Sequence, residues 1–390
     1  MVKKRARLHS PPSTLMNIEQ HNWSPDHGWN LPVGVPDAQL VLVFGRRQDL
    51  IDRHWHDAIA GRWPRAAVVG CSTAGQIAGT TVFDSGAVAT AIHFDHTELM
   101  VATVSTTASD SAAAGKRLAA DLTRPGLVHV LVLSEGLDIN GDALVRGLRE
   151  GLPDDVTVTG GLSADGEAFR ETIVLTRGDT RRQAIVGVGF YGDRLRVGFG
   201  SLGGWDPFGP ERLVTRADGN VLYELDGQSA LGLYKRYLGD HAKDLPASGL
   251  LFPLSLRTAD DASPVVRTIL SVNEADQTMT FAGDVPEGGY VRLMKANFDR
   301  LIDGAVGAGR VSTQALADSP AQFALLISCV GRRMVLRQRV EEEVEGVREV
   351  VGGSPVVTGF YSYGEISPFT PRARCELHNQ TMTVTTFFEG

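Results

Sequence analysis

The chain has 390 residues, of which 43% are hydrophobic, and a formal net charge of -8. This length exceeds what one hydrophobic core usually serves, so we expect two domains. The acidic balance argues against a nucleic-acid partner, because phosphate neutralisation requires clustered Lys and Arg. The basic cluster at residues 3–7 is not followed by the apolar stretch of a secretory signal, and no apolar run approaches transmembrane length. We therefore expect a cytoplasmic protein without membrane insertion.

The cysteines support the same compartment. Cys71, Cys329 and Cys375 are too few, and odd in number, for a disulfide framework. Cys71 follows an apolar strand in a turn, where a nucleophile could be aimed, but a free cysteine is more often a small buried hydrophobe.

In chain order, an arm precedes the first unit. Residues 1–36 are rich in Pro, His, Asn and Trp without periodicity, which predicts an extended N-terminal arm. The apolar run 40–44 indicates a strand buried on both faces, and apolar positions within 50–60 recur at helical spacing. Residues 70–75 form a glycine-bounded turn, Gly-Cys-Ser-Thr-Ala-Gly, and 86–94 return to strand.

A second unit repeats this order. Residues 128–133 predict a buried strand, and 142–152 predict a helix with one apolar stripe. The turn 161–166 reads Gly-Leu-Ser-Ala-Asp-Gly, and the strand pattern resumes over 183–191. Prolines and glycines between 203 and 219 then interrupt the strand pattern and indicate a domain boundary.

The third unit follows a less regular stretch. Residues 221–227 predict a strand and a turn, and 290–304 predict a helix. The unit then recurs as a strand over 323–327, an amphipathic helix over 332–351 and the turn 359–364, with a last strand over 381–388.

Three copies of one unit define the fold that we expect. Each copy has a strand, a helix, a second strand and a Gly-x4-Gly turn, followed by further strands. We predict an α/β fold in which these strand-helix-strand repeats form mixed β-sheets flanked by helices. The two predicted domains are 37–220, with two repeats, and 221–390, with the third.

Several enzyme and metal motifs fail on inspection. Residues 187–192 match the dinucleotide fingerprint, but a strand-like segment follows them where that fingerprint needs a helix. The turns place no serine midway between glycines, as a hydrolase elbow requires. No histidine pair has a second pair at ligand spacing. We therefore expect no metal and no complete catalytic constellation.

The turns have a composition that suits a small ligand. Glycines allow close backbone approach, and the hydroxyls of Ser72, Thr73, Ser163 and Ser362 are adaptable donors and acceptors. The polar run 378–381 enters an apolar strand, so it either pins that strand through an internal network or lines a ligand site. The last copy carries the most polar and aromatic side chains.

Four motifs together resemble the FIST family. They are Gly-Cys-Ser-Thr-Ala-Gly at 70–75, Gly-Gly-Leu-Ser-Ala-Asp at 160–165, Gly-Phe-Tyr-Ser-Tyr-Gly-Glu-Ile at 359–366 and Cys-Glu-Leu-His-Asn-Gln-Thr at 375–381. The resemblance covers nearly the whole chain beyond the arm, with a FIST N-terminal domain over 37–220 and a C-terminal one over 221–390. It implies a non-enzymatic sensory protein for small ligands, amino acids among them. Such modules act on kinases, cyclases or chemoreceptors, so for a stand-alone chain we expect a separate partner such as a histidine kinase or cyclase.

For an amino-acid ligand, hydroxyls and amides of the turns would take the carboxylate, Glu365 the ammonium, and Arg292 is a more distant carboxylate partner. The expected ligand-binding residues are Cys71, Ser72, Thr73, Gly75, Ser163, Arg292, Tyr361, Ser362, Tyr363, Glu365, His378 and Asn379.

Two alternatives stay open. Some members of the family bind haem and respond to nitric oxide, and an axial ligand here would be His378 or Cys375. Without haem, no cofactor is expected. The other alternative is an enzyme with Cys71 or Cys375 as nucleophile, which would need a base within hydrogen-bond reach.

Overall fold

The computed structural model describes residues 16–30, 37–51, 54–176, 179–258, 264–317, 319–369 and 374–390. Residues 1–15 of the expected arm, with the basic cluster 3–7, and residues 31–36 lie outside these ranges. Residues 16–30 include two strands, β1 (Met16–Ser24) and β2 (Gly28–Trp29).

The helices of the described chain follow the predicted units, with additions. They are α1 (Arg47–Ile51), α2 (His54–Arg62), α3 (Ser111–Leu122), α4 (Gly141–Gly151), α5 (Ala230–Leu238), α6 (Phe298–Ala315), α7 (Val330–Leu336) and α8 (Val340–Val351). Short 3-10 turns occur at Ala108–Asp110, Gly239–Asp244, Ala247–Leu251 and Arg337–Arg339.

The helix predicted over 290–304 is wrong in its first part. Tyr290–Lys295 is a strand, because Val291 and Leu293 are buried while Arg292 between them is exposed, which is the period of a strand. Helix α6 begins only at Phe298, where the side chain of Asn297 caps it by accepting a hydrogen bond from Arg300 N at 3.3 Å.

The helix predicted over 332–351 is interrupted. The first segment, α7, ends before Arg337, whose φ of +49° leaves the helical region. The 3-10 turn Arg337–Arg339 connects it to α8. Residues of α7 and of this turn, among them Arg333 and Arg337, line a cavity.

The three predicted repeats share one sheet pattern. In each, two strands pair in parallel and a third strand lies antiparallel beside the first. The strands are β3 (Leu40–Gly45), β4 (Ala67–Ser72) and β7 (Ala87–Phe94) in repeat 1, β9 (Leu127–Ser134), β10 (Thr157–Leu162) and β13 (Ala184–Tyr191) in repeat 2, and β23 (Phe323–Cys329), β24 (Val356–Ser362) and β27 (Met382–Glu389) in repeat 3.

In each turn, one position must be glycine because a side chain there would clash with the neighbouring strand. A Cβ on Gly70, Gly160 or Gly359 would lie 1.8, 1.9 or 1.9 Å from a carbonyl oxygen of the neighbouring parallel strand. No other residue fits against that backbone. The equivalent glycine of repeat 2 is therefore Gly160, one residue before the start of the predicted turn 161–166, and Asp165 takes the place of the closing glycine.

The repeats exchange strands after their turns. The exchanged strands are β5 (Gln76–Ala78), β11 (Val174–Thr176) and β25 (Gly364–Pro368). Strand β5 of repeat 1 pairs with β24 of repeat 3. Strand β11 of repeat 2 pairs with β4 of repeat 1, and β25 of repeat 3 pairs with β10 of repeat 2. Each forms a hairpin with the strand after it, namely β6 (Thr81–Phe83), β12 (Asp179–Arg181) or β26 (Cys375–His378).

A second exchange of strands completes a closed ring of the three repeats. Strand β8 (Glu98–Ser105) follows repeat 1 and pairs with repeat 2, and β14 (Leu195–Leu202) follows repeat 2 and pairs with repeat 3. Strand β1 occupies the same place beside β7 of repeat 1. The sheets of repeats 2 and 3 therefore contain strands from both sides of residue 220, and the two halves of the chain interlock through these two sheets. The described strands of the repeat 1 sheet all precede residue 220.

A fourth sheet is inserted between repeats 2 and 3. Its strands are β15 (Asp206–Asp218), β16 (Val221–Leu225), β17 (Gln228–Ser229), β18 (Leu254–Arg257), β19 (Val265–Arg267), β20 (Ile269–Asn273), β21 (Thr278–Phe281) and β22 (Tyr290–Lys295). With α5 it encloses its own core, which includes Tyr234 and Phe281. We call residues 206–295 the inserted module.

The predicted fold class is confirmed: the chain is a mixed α/β structure with several mixed sheets flanked by helices. No helix of the described residues is both long and apolar enough to cross a membrane.

Candidate functional site

The three glycine turns meet at the centre of the ring. Ala74 N donates to Tyr361 O at 2.9 Å, Ala164 N donates to Ser72 O at 2.9 Å, and Tyr363 N donates to Leu162 O at 3.2 Å. The turns are thus linked cyclically, each donating to the next. The amides that we expected to be free for a ligand are partly used in holding the repeats together.

The hydroxyls at equivalent turn positions have different partners. Thr73 Oγ1 donates to Gln76 Oε1 at 3.1 Å, and Ser362 Oγ donates to Glu365 Oε1 at 2.6 Å. In repeat 2 the corresponding partner position is Gly166, and Ser163 Oγ is buried without a hydrogen-bond partner. A Cβ on Gly166 would meet nothing within 4 Å, so the turn of repeat 2 faces open space at this point.

Glu365 is fully buried, so it is poorly placed to receive a ligand ammonium. Its second oxygen accepts hydrogen bonds from Thr381 N at 3.2 Å and Thr381 Oγ1 at 2.9 Å. Burial raises the pKa of Glu365 to about 8, against smaller lowering effects of its hydrogen bonds. The protonated carboxyl therefore acts as an internal connector between the last turn and the last strand.

The tyrosines of the third turn are also engaged. Tyr361 OH donates to Glu343 Oε1 at 2.8 Å, and Glu343 forms a fully buried ion pair with Arg332. Tyr363 OH bonds to Asp165 and donates to Gly166 O at 2.9 Å. Desolvation raises the pKa of both phenols, so both remain neutral donors.

The polar run 378–381 forms an internal network. Asn379 Nδ2 donates to Tyr363 O at 3.2 Å, and His378 Nε2 lies 2.7 Å from Ser367 O. Gln380 Nε2 donates to Leu250 O at 3.1 Å in the inserted module. These contacts support the pinning role that the sequence left open.

Both candidate axial ligands are buried and make contacts within the protein. His378 Nε2 lies 2.7 Å from Ser367 O, the Phe369 ring centroid lies 4.0 Å from that of His378, and Cys375 Sγ lies 3.5 Å from Val158 O. Burial raises the pKa of Cys375 to about 12, so its sulfur is a thiol, whereas haem ligation uses the thiolate.

The remaining predicted residues, Cys71, Arg292 and Gly75, lie in different parts of the fold. Cys71 is buried on β4, and desolvation raises its pKa well above the ordinary value. Arg292 is exposed on β22 of the inserted module, where its Nε donates to Gly209 O at 2.9 Å. Gly75 lies in the ring, and a Cβ there would lie 3.0 Å from Nε of Arg333.

A cavity of about 530 Å³ lies beside the ring of turns. Val82 and Asp84 line it from repeat 1, Gly166 and Glu167 from repeat 2, and Arg333 from α7 of repeat 3. Leu251 of the inserted module lines it as well. We call this the junction cavity, because residues from all three repeats and the module surround it.

Charged and apolar groups are both present in the junction cavity. Asp84, Glu167, Arg333 and Arg337 provide two carboxylates and two guanidinium groups, and Val330, Met334 and Val340 provide apolar surface. Pockets of roughly 300–1,000 Å³ that are mainly apolar with a few polar groups are typical of small-molecule sites.

Arg333 connects the junction cavity to the ring. Its Nη1 donates to Ala74 O, its Nη2 pairs with Asp84, and its guanidinium lies 5.8 Å from the centroid of the Tyr361 ring. Its Nε is buried without a hydrogen-bond partner. Desolvation lowers the pKa of Arg333, against the opposing influence of Tyr361.

The cavity residues could hardly be predicted from sequence patterns. Arg333 and Arg337 belong to a helix whose charges suggested a solvated face, and Asp84 and Glu167 lie in loops after two of the turns. One usable signal was the missing side chain at Gly166, where the other repeats have Gln76 and Glu365.

Two further cavities, of about 310 and 730 Å³, share Arg146, Arg149 and Cys375. Cys375 is the one predicted site residue that lines them, and no residue of repeat 1 does. The larger one carries Asp154 and Asp155 as well as arginines. Neither cavity is therefore lined by residues of all three repeats, as the junction cavity is.

Two family models match most of the chain. The FIST N domain matches residues 39–228 and the FIST C domain matches residues 230–368. The chain therefore belongs to the FIST family, whose domains are associated with signal transduction and the sensing of small ligands.

Known relatives are uncharacterised proteins. One from Methanocaldococcus jannaschii is 24% identical over 204 residues, which cover 49% of this chain and 39% of that protein. Another, from Mycobacterium tuberculosis, is 25% identical over 341 residues, 83% of this chain and 84% of its own. The chain thus spans about two-fifths of the archaeal relative.

A solved structure also matches over most of the chain. The crystal structure of cyanuric acid hydrolase from A. caulinodans covers 96% of this chain and 99% of its own at 8% identity. Its TM-score of 0.38 is too low to carry an argument about fold or activity.

Proposed function

We propose that the protein senses a small zwitterionic metabolite of the amino-acid class in the junction cavity. The observation that carries this proposal is the presence of two guanidinium groups, two carboxylates and an apolar wall in one cavity. Arg333 or Arg337 would bind the ligand carboxylate, since guanidinium groups form bidentate pairs with carboxylates. Glu167 would bind its ammonium.

The apolar wall narrows the class of ligand. Leu251, Val330, Met334 and Val340 offer aliphatic and thioether surface, and Met adapts to ligands of different shape. Amino acids with aliphatic or thioether side chains, such as leucine and methionine, match this surface. Charged side chains would lose hydration there without a dedicated partner.

Transmission would begin at Arg333. Its bonds to Ala74 O and Asp84 couple a bound ligand to the ring that joins the three repeats. A change at this ring would be passed to a separate signalling protein, such as a histidine kinase or cyclase, in the reducing cytoplasm that the free cysteines favour.

Binding without catalysis is the simpler chemistry for this chain. The pKa values of Cys71, Cys329 and Cys375 are all raised by burial, which disfavours the thiolate that a cysteine nucleophile needs. The burial and internal contacts of His378 and Cys375 likewise favour a ligand other than haem.

A thermal-shift screen against the twenty common amino acids tests the proposal. A ligand at about one hundred times its Kd stabilises the folded state by about 2.7 kcal/mol, which raises the melting temperature. We expect the largest rise with an aliphatic or thioether amino acid, and no rise in Met334→Trp, which fills the cavity. The proposal is contradicted if no amino acid raises the melting temperature, or if the melting temperature of Met334→Trp rises as much as that of wild type.

A further inference from the structure

Arg333 is the guanidinium that the ring holds most firmly in the junction cavity. Nη1 is fixed by Ala74 O and the Tyr361 ring lies on one side of the group. Nε has no partner although it is buried, and Nη2 is taken by Asp84. The edge formed by Nε and Nη2 is the edge that a carboxylate binds in a bidentate pair.

Asp84 engages this edge incompletely. Its side chain is 77% exposed, whereas that of Arg333 is 26% exposed. Only Nη2 of Arg333 pairs with it, and Nε is left without a hydrogen bond. A buried donor without a partner is costly, so a carboxylate that reaches both nitrogens would be preferred over Asp84.

We propose that Asp84 competes with the ligand for Arg333: it pairs with Arg333 until the carboxylate of an amino-acid ligand displaces it. This inference rests on the proposed function. Asp84 then sets the affinity of the site and its selectivity for ligands with a free carboxylate. It is released into solvent at little cost, because most of its surface is already exposed.

Displacement also changes the contacts of repeat 1. Asp84 follows β6, the outer strand of the hairpin that repeat 1 contributes to the sheet of repeat 3. On this hairpin Val82 N donates to Glu341 Oε1 at 3.0 Å, Ile77 O accepts from Thr358 Oγ1 at 3.4 Å, and Asp84 provides a further polar attachment to repeat 3. Ligand binding would remove the attachment that Asp84 provides and leave the others in place.

The size of the effect follows from the exposure of the pair. Exposed ion pairs contribute little, so removal of the competitor should tighten ligand binding by about two- to five-fold. The gain should depend on the ligand carboxylate. An amino-acid amide, which lacks that charge, cannot form the pair for which Asp84 competes.

Isothermal titration calorimetry with L-leucine, L-methionine and L-leucinamide tests this inference in wild type, Asp84→Asn and Asp37→Asn. Asp37 forms an ion pair with Arg65, and neither residue is among those that line the junction cavity, so this variant controls for loss of one charge. We expect Asp84→Asn to bind the amino acids about two- to five-fold more tightly than wild type. Asp37→Asn should match wild type, and Asp84→Asn should show no gain for leucinamide.

The outcomes separate the inference from the function on which it rests. Amino-acid binding by wild type with equal or weaker binding by Asp84→Asn overturns the role of Asp84 and leaves the proposed function standing. An equal gain for leucinamide also overturns it, since the competition would not concern the carboxylate. No binding by wild type or variant overturns both.

Discussion

Replacement of Glu365 by glutamine should remove a pH dependence from the stability of the protein. Glu365 is fully buried and its pKa is about 8, compared with an ordinary value of 4.5. The folded state therefore keeps a proton that the unfolded state loses above pH 4.5. This contribution to stability is fully present below pH 4.5 and is lost as the pH rises through 8.

The magnitude follows from linkage. One proton difference changes the free energy of unfolding by about 1.4 kcal/mol per pH unit, so wild type should lose about 3 kcal/mol between pH 5 and pH 7 through this group. Glutamine has nearly the same shape as the protonated carboxyl, and its oxygen can still accept from Thr381. Its amide can donate to Ser362 Oγ, in place of the hydrogen bond that Ser362 Oγ donates to Glu365 Oε1. Glu365→Gln should lack this slope.

Urea unfolding at half-unit steps from pH 5 to pH 8.5 measures the effect. The difference between the two proteins cancels the titration of groups that they share, such as His378. We expect the variant to gain stability relative to wild type steadily over this range. Parallel profiles would refute the protonated, buried state of Glu365 and would reopen its role as a partner for a ligand ammonium.

Three further predictions concern the interior. Glu343→Gln leaves the buried guanidinium of Arg332 without its carboxylate and should cost about 3–5 kcal/mol in urea unfolding, whereas the exposed Glu342→Gln should change nothing measurable. Equal effects would contradict the buried pair. Gly359→Ala drives a Cβ into the carbonyl of the neighbouring strand and should cost more than about 3 kcal/mol, while Gly353→Ala meets nothing within 4 Å and should fold normally. A thiol reagent should label no cysteine of the native protein and all three after unfolding, since all are buried; rapid native labelling would contradict this.

Much of the fold could be predicted because each repeat has recognisable local sequence patterns. Continuous apolar runs marked the buried strands, and glycines marked the turns where backbone meets backbone. The exchange of strands among repeats could not be read from the sequence. Short strands such as β5 and β11 carry three residues each, too few for a periodic signal, and their partners are set by long-range pairing.

The candidate site was predicted less well than the fold. Enrichment of polar residues in the third turn was real, but Tyr361, Ser362 and Glu365 satisfy one another and their neighbours inside the protein. Sequence shows which groups can form hydrogen bonds and does not show which are already paired. The cavity lies beside the turn, at Arg333, because Gly166 leaves space where the other repeats place a side chain.

Binding of an amino-acid ligand in the junction cavity should depend on Arg333, and a matched pair of variants tests this dependence. Arg333→Gln and Arg292→Gln make the same chemical change, one inside the cavity and one on the inserted module. Calorimetric titration with the amino acid that gives the largest thermal shift should show at least about ten-fold weaker binding to Arg333→Gln, the size expected when a charged hydrogen-bonding partner is lost. Arg292→Gln should bind like wild type. Undiminished binding by Arg333→Gln, or loss in Arg292→Gln, would contradict the account.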